Sequence, residues 1–225
     1  MSSVVTRFAP SPTGRLHLGH AYSALLAHDF AREHGGTFLL RIEDIDPGRA
    51  RSEHIDGILS DLEWLGLEYD GEILYQSERM PLYAEALARL KESGLVYPCF
   101  CTRSAIAAEI AASAAAPHGP NGPLYPGTCR GLGSDERDRC VETEPHALRL
   151  DVARASAAAG PLYWEDGDTE VPAEPQAFGD VVLARKDAPV SYHLAATVDD
   201  AAQGVTHVIR GRDLYASTDV HRLLQ

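Results

Sequence analysis

The sequence predicts an α/β protein built on a doubly wound parallel sheet, and two observations lead to this class. The first 95 residues alternate buried-strand patterns with amphipathic helix patterns, in the order strand, helix, strand, helix, strand, helix. The same alternation returns near the end of the chain, after about residue 179. Parallel strands require such intervening helices, because the chain must return to the same edge of the sheet before each new strand.

The elements of the first part begin and end at recognisable signals. VVTRFAP predicts a strand that ends in a Pro-Ser-Pro-Thr-Gly loop, and a helix is expected from about His17 to Glu33, closed by Gly35 and Gly36. TFLLRIEDID predicts a second strand, and SEHIDGILSDLEWLG predicts an amphipathic helix with Ser52 as its N-cap. EILYQSER is expected to be a short strand or extended segment, and PLYAEALARLKESG a third helix.

The chain changes character at about residue 99, where cysteines, the alanine-rich helix pattern AIAAEIAASAAA and a loop rich in Pro, Gly and Asn predict an inserted module. HALRLDV and GPLYWEDG are expected to be β-structure, and DTEVPAEPQAF a loop. A strand, a helix, the strand VTHVIRG and a helix from Ser217 or Thr218 follow. The predicted division is a first half-domain over 1–80, an insertion over 81–178 and a second half-domain over 179–225.

Composition and charge exclude some function classes. The chain has 225 residues, enough for one or two domains, and its formal net charge of −13 argues against coating nucleic acid by bulk attraction. It has no apolar run long enough to span a membrane and no secretory signal, so we expect a cytoplasmic protein without a membrane partner, acting as a monomer. The final VHRLLQ lacks a helix cap, and we expect the natural chain to continue beyond it.

The stretch FAPSPTGRLHLGH carries the clearest chemical signal. A loop that leads into a helix binds anions, because unpaired backbone N–H groups point out of the helix start. Gly14 and Gly19 let a ligand approach the backbone, while His17 and His20 share one helix face. Neutral imidazoles at this place can donate hydrogen bonds to phosphate oxygens, which predicts a phosphate-binding site.

The same stretch resembles the first signature of class I aminoacyl-tRNA synthetases, here His17-Leu18-Gly19-His20, and RFAPSPTG narrows the resemblance to the glutamyl and glutaminyl branch. The resemblance implies a Rossmann-type catalytic domain that activates an amino acid with ATP and Mg²⁺, and it makes His17 and His20 catalytic. It assigns ATP to Pro10, Thr13, Gly14, His17, Gly19 and His20.

Three further strings are similar to those of the same branch: RIEDID, SYHLA and HVIRGRDL. Free glutamate carries two carboxylates and an ammonium group, so arginines, a tyrosine and a carboxylate would complement it. Glu43, at a predicted strand end, could accept from the ammonium, whereas the partner of each carboxylate stays open. The resemblance assigns glutamate to Arg7, Ser11, Glu43, Tyr192 and Arg210.

The cysteines suggest a metal site, since Cys99 and Cys101 are too close to pair comfortably and a C-x-C motif suits a shared ion. Cys129 adds a third thiolate to a zinc site that is usually tetrahedral. The fourth ligand is open between Tyr125, Cys140 and His118. The C-x-C and Y-x-x-x-C strings resemble the structural zinc site of glutamyl-queuosine tRNA(Asp) synthetases, which implies the set Cys99, Cys101, Tyr125 and Cys129.

That family is shorter than glutamyl-tRNA synthetases, and it joins glutamate to the queuosine base of tRNA(Asp). RGRDL followed by Ser217-Thr218 points the same way, so glutamate, ATP and queuosine-bearing tRNA(Asp) are the expected partners. The lysine-bearing second ATP signature of class I synthetases is missing, because the chain has only Lys91 and Lys186, in other contexts. The alternatives are a fragment of a glutamyl-tRNA synthetase that charges a tRNA 3′ end, a non-catalytic synthetase-like binding module and another nucleotidyltransferase.

Overall fold

The computed structural model describes residues 3–112, 118–120, 122–186 and 188–225. The chain divides into two compact units. The first combines Met1–Pro81 with Val198–Tyr215, and the second combines Leu82–Thr197 with Ala216–Gln225. The predicted domain boundaries after residues 80 and 178 stay predictions.

The first unit contains the parallel sheet that the sequence predicts. Three strands in the order β1-β2-β3 are all parallel, with β2 in the centre. The elements alternate as expected: β1 (Val5–Phe8), α1 (Leu18–Glu33), β2 (Thr37–Ile42), α2 (Ser52–Trp64) and β3 (Leu74–Tyr75), followed by a 3₁₀ turn over Gln76–Arg79. This arrangement confirms an α/β fold with a parallel sheet and helices.

The core of this unit lies between the sheet and helix α1. The sheet contributes the fully buried side chains of Phe38, Leu40 and Ile42. The helix contributes small buried residues, including Ala24 and Ala27, which let its backbone approach the sheet closely. The Thr6 hydroxyl on β1 donates a hydrogen bond of 2.8 Å to the Ala27 carbonyl on the facing side of the helix. This close packing ties the helix that carries the two histidines to strand β1.

Some local predictions for the first unit are wrong. The N-cap of α2 is Arg51 rather than Ser52, and no side chain caps this helix start. The segment VTHVIRG forms no strand, although it lies beside β1. The N–H groups of Thr206 and His207 both donate to the Val5 carbonyl, at 3.0 and 3.1 Å, and the Val5 N–H donates to the Thr206 hydroxyl. Because these hydrogen bonds all fall on Val5, the segment VTHVIRG cannot form a regular ladder of hydrogen bonds with β1.

The second unit is built on an antiparallel sheet in the order β10-β7-β4. Two hairpins, β5-β6 and β8-β9, accompany it. Its strands are β4 (Val96–Cys99), β5 (His118–Gly119), β6 (Gly122–Pro123), β7 (Ala147–Leu150), β8 (Tyr163–Asp166), β9 (Thr169–Pro172) and β10 (Val182–Ala184). The remaining helices of the chain are α3 (Met80–Glu92), α4 (Arg103–Ala112), α5 (Ser134–Thr143), α6 (Val152–Ala159), α7 (Tyr192–Ala202) and α8 (Ser217–Leu224). Three short 3₁₀ turns occur at Thr128–Gly131, Pro175–Phe178 and Arg212–Leu214.

The second unit departs from the sequence predictions at two places. The predicted loop DTEVPAEPQAF contains strand β9, which pairs with β8. Gly167, with a φ of +59°, occupies the first turn position between the strands, so the Gly-Asp pair was the signal for this hairpin. Helix α5 was not predicted, because its sequence SDERDRCVET is strongly polar and lacks an apolar stripe. The alanine-rich pattern is helical up to Ala112, and its last residues, 113–116, lie outside the described residues.

Within the part of the chain that the structure describes, none of the helices combines the length and the apolar character needed to cross a bilayer.

Candidate active site

His17 and His20 lie together at the start of α1. His17 is the N-cap residue, one position before the helix, and its Nδ1 accepts a hydrogen bond of 3.1 Å from the Gly19 N–H. The His20 Nδ1 accepts one of 3.3 Å from the His17 N–H, which completes a reciprocal capping box made of two imidazoles. The rings stack at a centroid distance of 3.8 Å.

This capping arrangement determines which ring nitrogen carries the proton. A neutral imidazole has one donor and one acceptor nitrogen, and here both Nδ1 atoms act as acceptors. Each neutral ring therefore has its proton on Nε2. Burial and the neighbouring His17 lower the pKa of His20, although Asp213 opposes this shift. The helix start thus presents two imidazoles whose Nε2–H groups can donate to phosphate oxygens.

Gly19 leaves room for this arrangement. A Cβ atom at position 19 would lie 3.1 Å from Cε1 of His17 and 3.2 Å from its Nδ1, tighter than ordinary contacts. A side chain here would therefore require the His17 ring to shift by a few tenths of an ångström. A Cβ atom at position 14, by contrast, would meet nothing within 4 Å, so this part of the loop is open.

The loop before α1 is held against the end of strand β2. The Glu43 N–H donates to the Pro10 carbonyl at 3.0 Å, and the Ser11 hydroxyl donates to the Glu43 carbonyl at 3.0 Å. A tight turn, with the Thr13 N–H donating to the Ser11 carbonyl at 2.9 Å, continues the loop. The structure therefore brings the predicted ATP residues Pro10 and Thr13 and the predicted glutamate residues Ser11 and Glu43 into one connected segment.

A buried charge network lies behind this segment. Asp200 accepts from Arg7 Nε at 2.9 Å and from Arg41 Nη1 at 2.8 Å, both at its Oδ1. Arg41 is fully buried, and Arg7 and Asp200 are nearly so. Arg41 Nη2 lies 3.6 Å from Glu43 Oε1. The network fixes the guanidinium of Arg7 and places two cations beside the Glu43 carboxyl group.

Burial raises the pKa of Glu43 to about 7. The attraction of Arg41 and Arg7 opposes this rise, whereas the negative charges of Asp200 and Asp199 add to it. The side chain keeps a tenth of its surface exposed, so a ligand can still reach it. A carboxyl group that titrates near neutral pH would favour ionisation once an ammonium group binds beside it.

Arg210 and Tyr192 complete the set of predicted glutamate residues. Arg210 belongs to the first unit and follows Ile209, whose carbonyl lies 3.4 Å from Arg7 Nη1. Tyr192 belongs to the second unit, where it begins α7 and its ring lies 5.4 Å from the ring of His221. Their assignment to glutamate stays a prediction.

Sequence reasoning missed the acidic and basic residues that organise this network. Asp199 accepts from Gln76 Nε2 at 2.8 Å and from Arg79 Nε at 2.7 Å, and its side chain is fully buried. The signal was the charged pair DD inside the otherwise apolar helix pattern LAATVDDAA. The arginine of TFLLRI, Arg41, was a second signal, because a charge in the middle of a buried strand needs a partner.

The cysteine cluster of the second unit brings three thiols together. The Sγ atoms of Cys99, Cys101 and Cys129 all lie within 4.8 Å of one another. The Tyr125 hydroxyl lies 3.4 Å from Cys99 Sγ and 3.6 Å from Cys101 Sγ, and Cys101 Sγ lies 3.4 Å from Cys129 Sγ. Backbone donors complete the surroundings: the Cys129 N–H reaches the Tyr125 oxygen and the Phe100 N–H reaches Cys129 Sγ.

Of the three candidates for a fourth ligand, the structure brings Tyr125 to the thiols. Among the described residues, the cluster of metal-type ligands contains neither Cys140 nor His118. Cys140 lies on helix α5 as a free thiol, and His118 is an exposed residue of hairpin β5-β6. Burial raises the pKa of the Cys101 thiol to about 11.

The parallel sheet and the histidine-bearing helix start define the class of protein. Residues 3–225 match the family model of the class I tRNA synthetases (E and Q), catalytic domain, and the chain belongs to this family. The match spans both units and so includes the cysteine-bearing part of the chain.

Comparison with individual relatives narrows the family further. The chain is 50% identical to the glutamyl-Q tRNA(Asp) synthetase of Rhodobacter capsulatus, over 99% of this chain and 81% of the relative. It is 48% identical to the protein of that name from Deinococcus radiodurans, over 99% of this chain and 72% of the relative. It is 45% identical to the protein of that name from Symbiobacterium thermophilum, over 97% of this chain and 68% of the relative. These relatives confirm the resemblance to glutamyl-queuosine tRNA(Asp) synthetases.

Solved structures show the same fold. The glutamate tRNA ligase of Elizabethkingia meningosepticum, solved in complex with its amino acid, superposes with a TM-score of 0.80 at 29% identity. The glutamate-tRNA synthetase of Elizabethkingia anophelis gives 0.80 at 30% identity. Each comparison covers 99% of this chain, which spans 46% and 47% of the two solved chains, about half of their length.

Proposed function

We propose that the chain activates glutamate with ATP and transfers it to the queuosine base in the anticodon of tRNA(Asp). The reaction has two steps: glutamate and ATP give glutamyl-adenylate and pyrophosphate, and a hydroxyl of the queuosine ring then takes the glutamyl group and releases AMP. The observation that carries the chemistry is the pair of Nε2–H donors at the start of α1. The identity of the acceptor follows from the names of the relatives.

The helix start supports the first step electrostatically. The carboxylate of glutamate attacks the α-phosphate, and negative charge builds up on the phosphate oxygens until pyrophosphate leaves. His17 and His20 donate to these oxygens through Nε2, and the positive end of the helix dipole adds to the potential there. ATP enters with Mg²⁺, which neutralises its phosphates. The open backbone at Gly14 lets the phosphates approach the loop.

The charge network supports recognition of free glutamate. Glu43 accepts from the α-ammonium group, while Arg7, oriented by Asp200, faces a carboxylate. Ser11 lies beside Glu43 through its bond to the Glu43 carbonyl and can contact the amino acid. Tyr192 and Arg210 are assigned to glutamate by the resemblance alone. Catalysis in this proposal consists of positioning and electrostatic stabilisation, with no covalent enzyme intermediate.

The cysteine cluster fits a structural zinc ion. Tetrahedral zinc with a Zn–S distance of about 2.3 Å and a Zn–O distance of about 2.0 Å places its donors about 3.8 Å (S···S) and about 3.5 Å (S···O) apart. The separations of 3.4 to 3.6 Å in the cluster are close to these values. Cys99, Cys101, Tyr125 and Cys129 would hold the ion, which would link the end of β4 to the turn at Thr128–Gly131.

The first experiment measures glutamate-dependent exchange of pyrophosphate into ATP without tRNA, on the 225-residue chain and on the complete gene product. Exchange without tRNA is expected, because the proposed enzyme activates glutamate before it meets its acceptor. Exchange that requires tRNA would favour a glutamyl-tRNA synthetase. Absence of exchange by the complete product, with glutamate still bound, would favour a non-catalytic binding module.

The second experiment identifies the acceptor. Labelled glutamate is offered with ATP to two preparations of tRNA(Asp) that differ only in carrying queuosine or guanine at the modified anticodon position. Transfer to the queuosine form alone is expected. Equal transfer to both forms would place the glutamyl group on the tRNA 3′ end and contradict the proposed acceptor.

A further inference from the structure

Arg149 covers the cysteine cluster from the side of Tyr125. It lies on β7, the central strand of the antiparallel sheet, opposite Tyr97 on β4 and Val182 on β10. The Cζ atom of its guanidinium lies 3.9 Å from the centroid of the Tyr125 ring. Arg149 Nη1 donates a hydrogen bond of 2.7 Å to the Asp180 carbonyl, which holds the side chain in this position.

The negative charge of the proposed zinc centre makes the contact between Arg149 and Tyr125 favourable. Three thiolates and one phenolate around Zn²⁺ would carry a net charge of roughly −2, which is unfavourable in a partly buried place. Arg149 Nε is buried and makes no hydrogen bond within the described part of the chain. The face of the Tyr125 ring is therefore the main partner of this guanidinium, apart from the Asp180 carbonyl. A cation is attracted to a ring face, and more strongly when the ring carries the negative charge of a phenolate.

Two other cations near the cluster bond to oxygen atoms outside the ligand set. Arg130, next to Cys129, pairs with Asp180 at 3.1 Å. Lys186 donates to the Phe100 carbonyl at 3.0 Å. Arg149 is thus the cation that the fold stacks on a ligand of the cluster.

We infer that Arg149 is a positioning residue of the zinc centre, whose guanidinium orients the Tyr125 ring and compensates the negative charge that Tyr125 brings to the ion. The inference rests on the zinc site proposed above. It explains how a tyrosine serves where a fourth cysteine or a histidine is usual, because the stacked guanidinium holds the ring with its oxygen 3.4 Å from Cys99 Sγ and adds positive charge beside the ligands. Residues that support metal ligands in this way typically change metal affinity by about 10- to 100-fold.

A double-mutant cycle on zinc affinity tests the inference. The affinity for Zn²⁺ is measured by competition with a chromophoric chelator in the unmodified chain, in Arg149→Met, in Tyr125→Phe and in the double variant. Arg139→Met is the matched control, because Arg139 is an exposed arginine on helix α5 whose Nε donates to the Asp135 carbonyl, so its loss removes the same charge without removing the ring contact. Far-UV circular dichroism checks that each variant folds.

Arg149→Met is expected to weaken zinc binding by about 10-fold or more when Tyr125 is present, and by less than about 2-fold when position 125 is Phe. Arg139→Met is expected to leave the affinity within about 2-fold. An equal loss of zinc affinity with Tyr125 and with Phe at position 125 would show that Arg149 supports only the fold. No loss of affinity in either background would show that Arg149 does not act on the centre. Both results overturn the inference. If the unmodified chain binds no zinc, the proposed zinc site itself fails, and this first measurement separates the two failures.

Discussion

Glu43 shows, at the scale of single residues, how position in the fold changes the chemistry of a side chain. In the sequence it is one of three acidic residues in RIEDID. In the structure it lies at the end of β2 with its side chain almost covered, next to the fully buried Arg41. Burial outweighs the attraction of the arginines and raises its pKa to about 7. The residue therefore changes charge in the physiological range, whereas an exposed glutamate does not.

This pKa predicts a pH dependence of glutamate binding. The protonated carboxyl group cannot pair with the ammonium of glutamate, so the affinity should rise about ten-fold per unit as the pH increases towards 7, and level off above it. Calorimetric titration with glutamate, without ATP, between pH 6 and pH 8 measures this. Glu43→Gln should bind glutamate weakly and without this slope. A slope that persists in Glu43→Gln would show that another group is responsible.

The raised pKa of Glu43 also predicts an effect on stability. Deprotonation of Glu43, which favours glutamate binding, should lower the free energy of unfolding. A carboxyl group whose pKa is raised on folding favours the folded state only while it is protonated, and this contribution is lost as the pH rises through about 7. Glu43→Gln should therefore increase the free energy of unfolding at pH 8, relative to the unmodified chain, and have little effect at pH 5. Urea unfolding at the two pH values measures the difference, and an equal effect at both would contradict the titration of Glu43.

At the scale of elements, the start of α1 combines a helix cap with a donor site. The N-cap needs an acceptor for a backbone N–H, and the imidazole of His17 supplies it through Nδ1. Nε2 of the same ring remains as a donor. Gly19 eases this arrangement, because a Cβ there would lie only 3.1 Å from Cε1 of the ring. One side chain thus fixes the helix start and faces the proposed phosphate.

Substitutions at position 17 can separate these two roles. His17→Asn keeps an acceptor suited to an N-cap, whereas His17→Ala removes it and should lower the free energy of unfolding by about 1 kcal/mol. Both variants lose the Nε2–H donor of the imidazole and should slow glutamate activation by about 100-fold. Urea unfolding and pyrophosphate exchange, the latter on the complete gene product, measure the two effects. Full exchange activity in His17→Asn would contradict the role of Nε2.

At the scale of the whole molecule, Asp200 connects parts of the first unit that are far apart in the chain. It lies on α7 and bonds to Arg7 on β1 and to Arg41 on β2. Burial alone would raise the pKa of Asp200, but the two arginines hold it below its ordinary value. The stabilisation from this carboxylate is therefore present above its ordinary pKa and is lost as the pH falls below it.

Removing this charge should destabilise the chain strongly. Asp200→Asn leaves two buried arginines without their shared carboxylate, and a loss of about 3–5 kcal/mol in the free energy of unfolding is expected at pH 7. Asp29→Asn is the matched control, because Asp29 is an exposed carboxylate beside His28, and it should change stability by less than about 1 kcal/mol. Urea unfolding compares the two variants, and similar losses would contradict the role given to Asp200.

How much could be predicted from the sequence differs between elements and contacts. The first strands and helices were predicted because apolar periodicity and the glycines and prolines at their ends are local signals. The hairpin β8-β9 and helix α5 were missed, since a polar surface element carries little periodicity. The three cysteines were recognised from their spacing and Tyr125 from the family resemblance, while Arg149, 20 or more residues from each of them, carried no signal for its place above the ring.

By itself, the sequence determined the alternation of strands and helices, the position of the loop proposed to bind phosphate and the family of the chain, because each of these depends on residues that are near neighbours. Only the tertiary structure decided which ring nitrogens of His17 and His20 are donors, that Glu43 titrates near neutral pH and that Asp200 joins Arg7 to Arg41. These properties depend on burial and on distances between residues far apart in the chain, and both arise only when the chain folds.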